Sequence, residues 1–216
     1  MSGKLITFEG IEGSGKSTQI RLLSEYLESR KVGHLLTREP GGTRLGDQIR
    51  RHLLDAEEPG EIFPETELLL FLAVRAQHLR EAVLPALDAG RVVLCDRYND
   101  ATLAYQGFGR GLPLTRIREI QRAAGIDRGP DLTLLLDMEV GPALERTRKR
   151  GDGAGGQSRF DREGEEFHRK VREGYLKIAE SEPARVRRID AARPINIVQG
   201  AIISIVNDFL DLGNTD

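Results

Sequence analysis

Residues 8–19 read FEGIEGSGKSTQ, and four of them decide the fold. Gly10, Gly15, Lys16 and Ser17 satisfy the pattern GxxxxGK followed by Ser or Thr. The pattern lies between a short apolar run, Leu5 to Phe8, and a helical period, Ser17 to Arg30, which is the context a phosphate-binding loop requires. Glycines let successive backbone N–H groups converge on a phosphate, and the helix N-terminus adds partial positive charge. Lys16 then reaches the terminal phosphates and the Ser17 hydroxyl ligates Mg²⁺. The expected ligand is a nucleoside triphosphate, held by Gly10, Gly13, Ser14, Gly15, Lys16, Ser17 and Thr18.

A phosphate loop does not by itself separate a kinase from a GTPase switch or a mechanical ATPase. The variable positions are Ile11, Glu12, Gly13 and Ser14. A carboxylate facing into the loop would repel the triphosphate, so Glu12 is expected to point elsewhere, toward a neutral hydroxyl of a second substrate. The other reading of Glu12 is an exposed loop glutamate.

Beyond the loop, short apolar runs alternate with amphipathic ones. Strands are predicted at Leu5 to Phe8, His34 to Thr37, Arg91 to Cys95, Leu132 to Leu136 and Val186 to Ile189. Helical periods fall at Ser17 to Arg30, Leu45 to Leu54, Glu65 to Ala89, Thr115 to Ala124, Gly141 to Arg150, Glu163 to Ser181 and Ile195 to Leu210. Alternation of this kind predicts an α/β fold with a five-stranded parallel sheet flanked by helices. In such sheets ligands bind beyond the carboxyl ends of the strands, which directs attention to Glu9, Arg38, Asp96, Asp137 and Asp190.

The chain has 216 residues, which one well-buried domain accommodates, so residues 1–216 are expected to form a single domain. Lys and Arg number 32 against 34 Asp and Glu, and the missing basic excess argues against a nucleic-acid partner. The single cysteine, Cys95, excludes an internal disulfide framework and fits a reducing compartment. No stretch approaches 18 consecutive apolar residues and Met1 to Leu5 does not start a signal segment, so no membrane association and a cytoplasmic location are expected.

After the second predicted strand comes TREPGGT, Thr37 to Thr43. An arginine at this edge clamps a phosphate with its planar fork of donors, and Arg38 is read either so or as a surface residue. Glu39–Pro40 is a candidate for a cis peptide bond. The third strand runs into DRYNDATLAYQG, Asp96 to Gly107. Asp96 stands where phosphate-loop enzymes place a carboxylate for Mg²⁺, usually through water, and Arg97 beside it suits a phosphate. The alternative is a local ion pair.

With FEGIEGSGKST, TREPGGT, LLLFLAVRAQ, DRYNDATLAYQG and SRFDRE in this order, the chain resembles the thymidylate kinases from Phe8 to Glu163. The resemblance implies a phosphate-loop fold of the nucleoside monophosphate kinase type with a lid near residues 148–162. It implies transfer of the γ-phosphate of ATP to dTMP with Mg²⁺, and a homodimer. It gives Arg38 and Arg97 to the dTMP phosphate, with Arg97 also facing the transferred phosphoryl group, and Glu12 to the sugar 3′-hydroxyl. Phe71 and Arg75, four apart on one helix, match an aromatic that stacks on thymine and an arginine that bonds its O4. Sequence alone would place Phe71 in the core. Tyr105 and Gln106 match the positions that crowd the sugar and read the thymine N3–H, and Thr102 matches a nearby polar position. Many relatives carry serine where this chain has Ala101, so any contact made by that hydroxyl is absent here or passes to Thr102.

Phosphoryl transfer needs positive charge about the β- and γ-phosphates and exclusion of water. The loop has no arginine at its variable positions. The segment Glu145 to Glu163 is rich in arginine around the glycine-rich GDGAGGQSR, as a closing lid would be. By the resemblance, Arg150, Arg159 and Arg162 are the lid arginines. A GTPase switch would carry an NKxD signature, and none of the four asparagines begins one. A deoxynucleoside kinase, expected to show Glu-Arg-Ser where this chain has Asp96-Arg97-Tyr98, and another nucleoside monophosphate kinase are the remaining alternatives.

Overall fold

The computed structural model describes residues 3–54, 62–151 and 158–213. Along the chain lie β1 (Lys4–Glu9), α1 (Lys16–Ser29), β2 (His34–Arg38), α2 (Arg44–Leu54) and α3 (Pro64–His78). A π-helical turn, Leu79–Val83, carries α3 without a break into α4 (Leu84–Asp88). Then come β3 (Val92–Asp96), α5 (Asn99–Thr102) with a second π-helical segment, Leu103–Gly109, and α6 (Leu114–Ala123). The chain closes with β4 (Leu132–Asp137), α7 (Val140–Gly151), a 3₁₀ turn at Arg159–Arg162, α8 (Glu165–Ser181), β5 (Val186–Asp190) and α9 (Ile195–Leu210).

The five strands form one parallel sheet in the order β2-β3-β1-β4-β5. The apolar runs are buried because helices cover both faces, and β1, β3 and β4, flanked by strands on both sides, carry Leu5, Ile6, Phe8, Val93, Leu94, Leu134 and Leu136 into the core. The edge strands are more open to solvent, with Leu36 of β2 45 % exposed. Register then sets the working edge. Phe8 pairs with Asp96 and Arg38 pairs with the same residue, so β1, β2 and β3 end level with one another. The chain leaves β1 toward β2 and leaves β4 toward β5, so the loops after these neighbouring strands diverge and open a crevice.

All five predicted strands and seven predicted helical periods correspond to elements of the structure. The helical segment 99–109 was not anticipated. It is packed against α8 and against α3 and α6, so DATLAYQG lacks the polar stripe that marks an amphipathic helix. The last long helix before β5 begins at Glu165 rather than Glu163, because Ser158 and Asp161 close a capping box around the intervening 3₁₀ turn. The Glu39–Pro40 peptide is cis.

Buried ion pairs lock this frame. Asp100 of α5 accepts both Nη1 and Nη2 of Arg185 at 2.7 and 2.8 Å, and Thr133 of β4 donates to the same carboxylate at 2.9 Å. The segment that follows β3 is thereby pinned across β4 to the start of β5.

Candidate active site

Beyond Phe8 the backbone turns back on itself, and this requires glycine. Gly10 has φ 138° and Gly13 φ 78°, and a Cβ on either would collide with a carbonyl, of Leu136 and of Ala143 respectively. Gly15, in the left-handed region at φ 93°, caps α1. The loop backbone can therefore make this turn only with glycine at these positions. Lys16 is buried and donates to the carbonyl oxygens of Gly10 and Ile11 at 2.9 and 2.8 Å. Burial, then the neighbouring Arg97, push its ammonium down to about 8, against the pull of Asp96 and Glu12.

The Ser17 hydroxyl donates to Asp96 Oδ2 at 3.2 Å, while Asp96 Oδ1 is buried with no protein partner. A hydroxyl and a carboxylate are hard oxygen donors, and a site that completes its shell with water and phosphate oxygens suits Mg²⁺. Among the described residues no group of three or more His, Cys, Asp or Glu is arranged to hold a metal by itself. The residues present therefore fit a phosphate-bound magnesium ion rather than a metal caged by protein.

From the phosphate loop a cleft of about 540 Å³ runs to α3. It is lined by Glu12, Gly13, Lys16, Ser17, Arg38, Phe71, Arg75, Asp96, Arg97, Thr102, Tyr105 and Gln106, twelve of the residues singled out from the sequence. Ala101 lines it as well. Gly10, Ser14, Gly15 and Thr18 belong to the loop and the start of α1 without lining the cleft. Neither Arg159 nor Arg162 lines the cleft. The Arg150 side chain and residues 152–157 lie outside the described residues. Arg162 ends the 3₁₀ turn on the surface. Arg159, expected among the phosphate-facing arginines, instead bonds the Glu67 carboxylate and the Leu53 carbonyl. The physical reason is that Glu67 is fully buried and needs cations to balance it.

Glu12 points away from the loop amides. Its Oε1 accepts from Arg97 Nη2 at 2.8 Å, and both oxygens accept from the Tyr105 hydroxyl at 2.7 Å, with His168 Nδ1 at 3.4 Å from Oε2. Burial alone would raise its pKa, but the Arg97 charge, His168 and Lys16 hold it well below the usual carboxylate range. Arg97 has φ 69°, a left-handed conformation that a non-glycine residue adopts at a cost of about 1–2 kcal/mol. Two backbone bonds support it: Arg97 N–H to Phe8 O at 3.0 Å, and Tyr98 N–H to Glu9 Oε1 at 2.7 Å. The turn swings the guanidinium over the Tyr105 ring, 4.8 Å from its centroid, and against Gly10 O and the Tyr175 hydroxyl.

At the far end of the cleft, Arg75 is 1 % exposed, with Nε on Glu39 at 2.7 Å and Nη2 on Tyr98 O at 3.0 Å. Its Nη1 is buried without a partner, and so is the Thr102 hydroxyl. A buried donor left open on a cavity wall is a place for a ligand's acceptor. His78 bridges Thr37 and the other Glu39 oxygen at 2.7 and 2.9 Å, fixing the carboxylate that aims Arg75. Phe71 presents its ring to Phe160 of the 3₁₀ turn, centroids 6.2 Å apart.

Several functional positions escaped the sequence reading. Arg50 of α2 lines the cleft, donates to Pro40 O at 2.7 Å, and is pushed down to about 10 by burial and then by Arg38. Its signal was the spacing to Leu54, one turn later on the same cleft-facing side of α2. Phe160 also lines the cleft, and nothing in SRFDRE marked it as more than lid. Glu9 is 0 % exposed and accepts from Tyr175 at 2.6 Å, but its place at a strand end alone gave it no role.

The family model for thymidylate kinase matches residues 8–202. The chain is 50 % identical over 206 residues to a thymidylate kinase of Pelobacter propionicus, covering 94 % of each protein. It is 53 % identical over 192 residues to one of Desulfovibrio desulfuricans, covering 88 % of each. Among solved structures, thymidylate kinase from Ehrlichia chaffeensis superposes with a TM-score of 0.76 at 34 % identity, over 96 % of this chain and 99 % of that one.

Burial, with Asp100 adding to it, raises the Glu9 carboxyl to about 8 against the hydrogen bond from Tyr175 and the Arg97 charge. Between its ordinary value and about 8 the folded state then holds a proton that the unfolded chain has released, so stability falls as pH rises through this window. Glu9→Gln is expected to remove that dependence. Melting curves of both proteins from pH 5 to 8 should show a Tm difference that shifts toward the variant as pH increases, and a constant difference would refute the assignment.

Proposed function

This chain belongs to the thymidylate kinase family, and we propose from that premise that it transfers the γ-phosphate of ATP to dTMP, giving ADP and dTDP. The observation that carries the reading is one continuous cleft whose two ends differ in chemistry. One end is a glycine loop with Lys16, and the other is an aromatic slot with open donors on Arg75 and Thr102.

In this reading the amides of Gly13 to Thr18 and the Lys16 ammonium hold the triphosphate. Ser17 and Asp96 would hold Mg²⁺, which supplies charge neutralisation at the β- and γ-phosphates. Arg38 and Arg97 hold the dTMP phosphate, and Arg50 adds a third guanidinium on the same wall. An oxygen of the dTMP phosphate attacks the γ-phosphorus in line, a bond forms there, and the bond from that phosphorus to the ADP oxygen breaks. The attacking phosphate is already anionic, so no strong general base is needed, and positioning with charge neutralisation supplies the acceleration. Thymine stacks on Phe71, its O4 accepts from Arg75 Nη1, and its N3–H is read by Gln106 beside Thr102. Glu12 takes the sugar 3′-hydroxyl, and Tyr105 crowds the 2′ side. Arg150 and Arg162 bring charge with the lid. Arg159 would have to release Glu67 to join them.

Residues 1–216 act as one kinase domain in this reading. Exposed apolar side chains on α2, at the cap of α3 and on α3, Leu45, Phe63 and Leu69, 48, 62 and 55 % exposed, support a homodimer through these helices. Among the described residues no helix is long and apolar enough to cross a membrane. The reaction uses soluble nucleotides, and a cytoplasmic location goes with it.

Four measurements test the reading. Lys16→Met is expected to lower turnover by at least about 10³-fold with an unchanged fold, judged by Tm, because it removes a charge that acts on the transferring phosphoryl group. ADP release assayed with dTMP, dUMP, dCMP, dGMP, dAMP and thymidine should be fastest with dTMP; preference for thymidine would point to a deoxynucleoside kinase. Chelation of divalent cations should abolish ADP release, and Mg²⁺ should restore it. Light scattering should give twice the chain mass of 24.0 kDa, and Leu69→Glu should lower it.

A further inference from the structure

Glu67 lies one helical turn before Phe71 and two before Arg75, on the same side of α3. It is completely buried and does not line the cleft itself. Four hydrogen bonds converge on its carboxylate. Gln106 Nε2 donates to Oε1 at 2.8 Å, Arg110 Nε to Oε1 at 3.3 Å and Nη2 to Oε2 at 3.1 Å, and Arg159 Nη2 to Oε2.

A carboxylate only accepts, so Gln106 must present its amide nitrogen to Glu67. Gln106 is 1 % exposed and lines the cleft. With the nitrogen committed, its oxygen is the atom left for a ligand. An amide oxygen accepts from the N3–H of thymine or uracil and repels the lone pair at cytosine N3. A free glutamine can turn its amide over and serve either base, and one held by a charged acceptor cannot.

We propose that Glu67 is a positioning residue that sets base selectivity, holding the Gln106 amide with its oxygen toward the base. The assignment rests on the reading of Gln106 as the N3–H contact. Arg110 and Arg159 balance the charge so that the carboxylate can stand buried at this point, and Arg110 also reaches Glu163 at the foot of the lid. The base contact and the lid's attachment therefore share one anion.

The test is the ratio of kcat/KM for dTMP to kcat/KM for dCMP, or KM for dTMP against Ki for dCMP where dCMP turnover is too slow to follow. Glu67→Gln can offer either a donor or an acceptor to Gln106, so the ratio is expected to fall at least about tenfold, the loss of one oriented hydrogen bond. In a Gln106→Ala background the same change should leave the ratio unaltered. Glu67→Asp keeps the charge between the two arginines and withdraws it from Gln106; its ratio should fall in the same direction, and it carries the test if Glu67→Gln does not fold. A folded variant whose two activities drop together, or an equal fall in the Gln106→Ala background, overturns the proposal and leaves a structural anchor. A wild-type protein indifferent to the base overturns instead the reading on which it rests.

Discussion

Four cationic side chains, Lys16, Arg38, Arg50 and Arg97, share one cleft wall, and their mutual repulsion is the constraint around which the neighbouring carboxylates are arranged. Buried charge is expensive unless it is paired and hydrogen-bonded. The downward shifts of Lys16 and Arg50 register that cost, each with burial as its first cause and another arginine as its second. Glu12 and Asp96 relieve it at the front of the cleft, Glu39 holds Arg75, and Asp47 reaches Arg38 at 3.5 Å.

The same carboxylates give direction as well as charge balance. Glu39 takes two donors, Arg75 and His78, and thereby leaves Arg75 Nη1 facing the slot. Glu12 takes Arg97 and Tyr105, so the aromatic ring and the guanidinium stack at 4.8 Å as one unit. Catalysis by positioning draws on side chains held in this way. Around the slot, Phe160 is packed edge-on to Tyr105 and roughly parallel to Phe167, at 5.3 and 6.1 Å between centroids. The 3₁₀ turn at Arg159–Arg162 thus belongs to the same aromatic cluster as Tyr105.

Legibility in the sequence followed the range of the interaction. The phosphate loop, the five strands and the carboxyl-edge residues were readable because each is encoded within about ten consecutive residues, by glycine placement, apolar runs or a charged residue at a strand end. Arg50 and Glu67 left only a one-turn spacing to a neighbour on the cleft side, and helices carry many such pairs. The helical segment 99–109 gave no amphipathic stripe because it is packed against α8 and against α3 and α6. Arg159 was read with its neighbours as lid charge, and its commitment to Glu67, 92 positions away in the chain, has no local trace.

The amino-acid sequence by itself determined the parallel α/β frame, the phosphate loop and its magnesium-compatible pair, and the inventory of arginines and aromatics at the active edge. These are matters of local stereochemistry, since a glycine at positive φ or an apolar run under two helix layers admits few alternatives. Only the tertiary structure decided which carboxylate faces which guanidinium, that Arg159 is tethered to Glu67, and that the Gln106 amide nitrogen is bound to the same carboxylate. A guanidinium accepts any anion within reach, so its partner is chosen by how distant segments pack and not by the residues beside it.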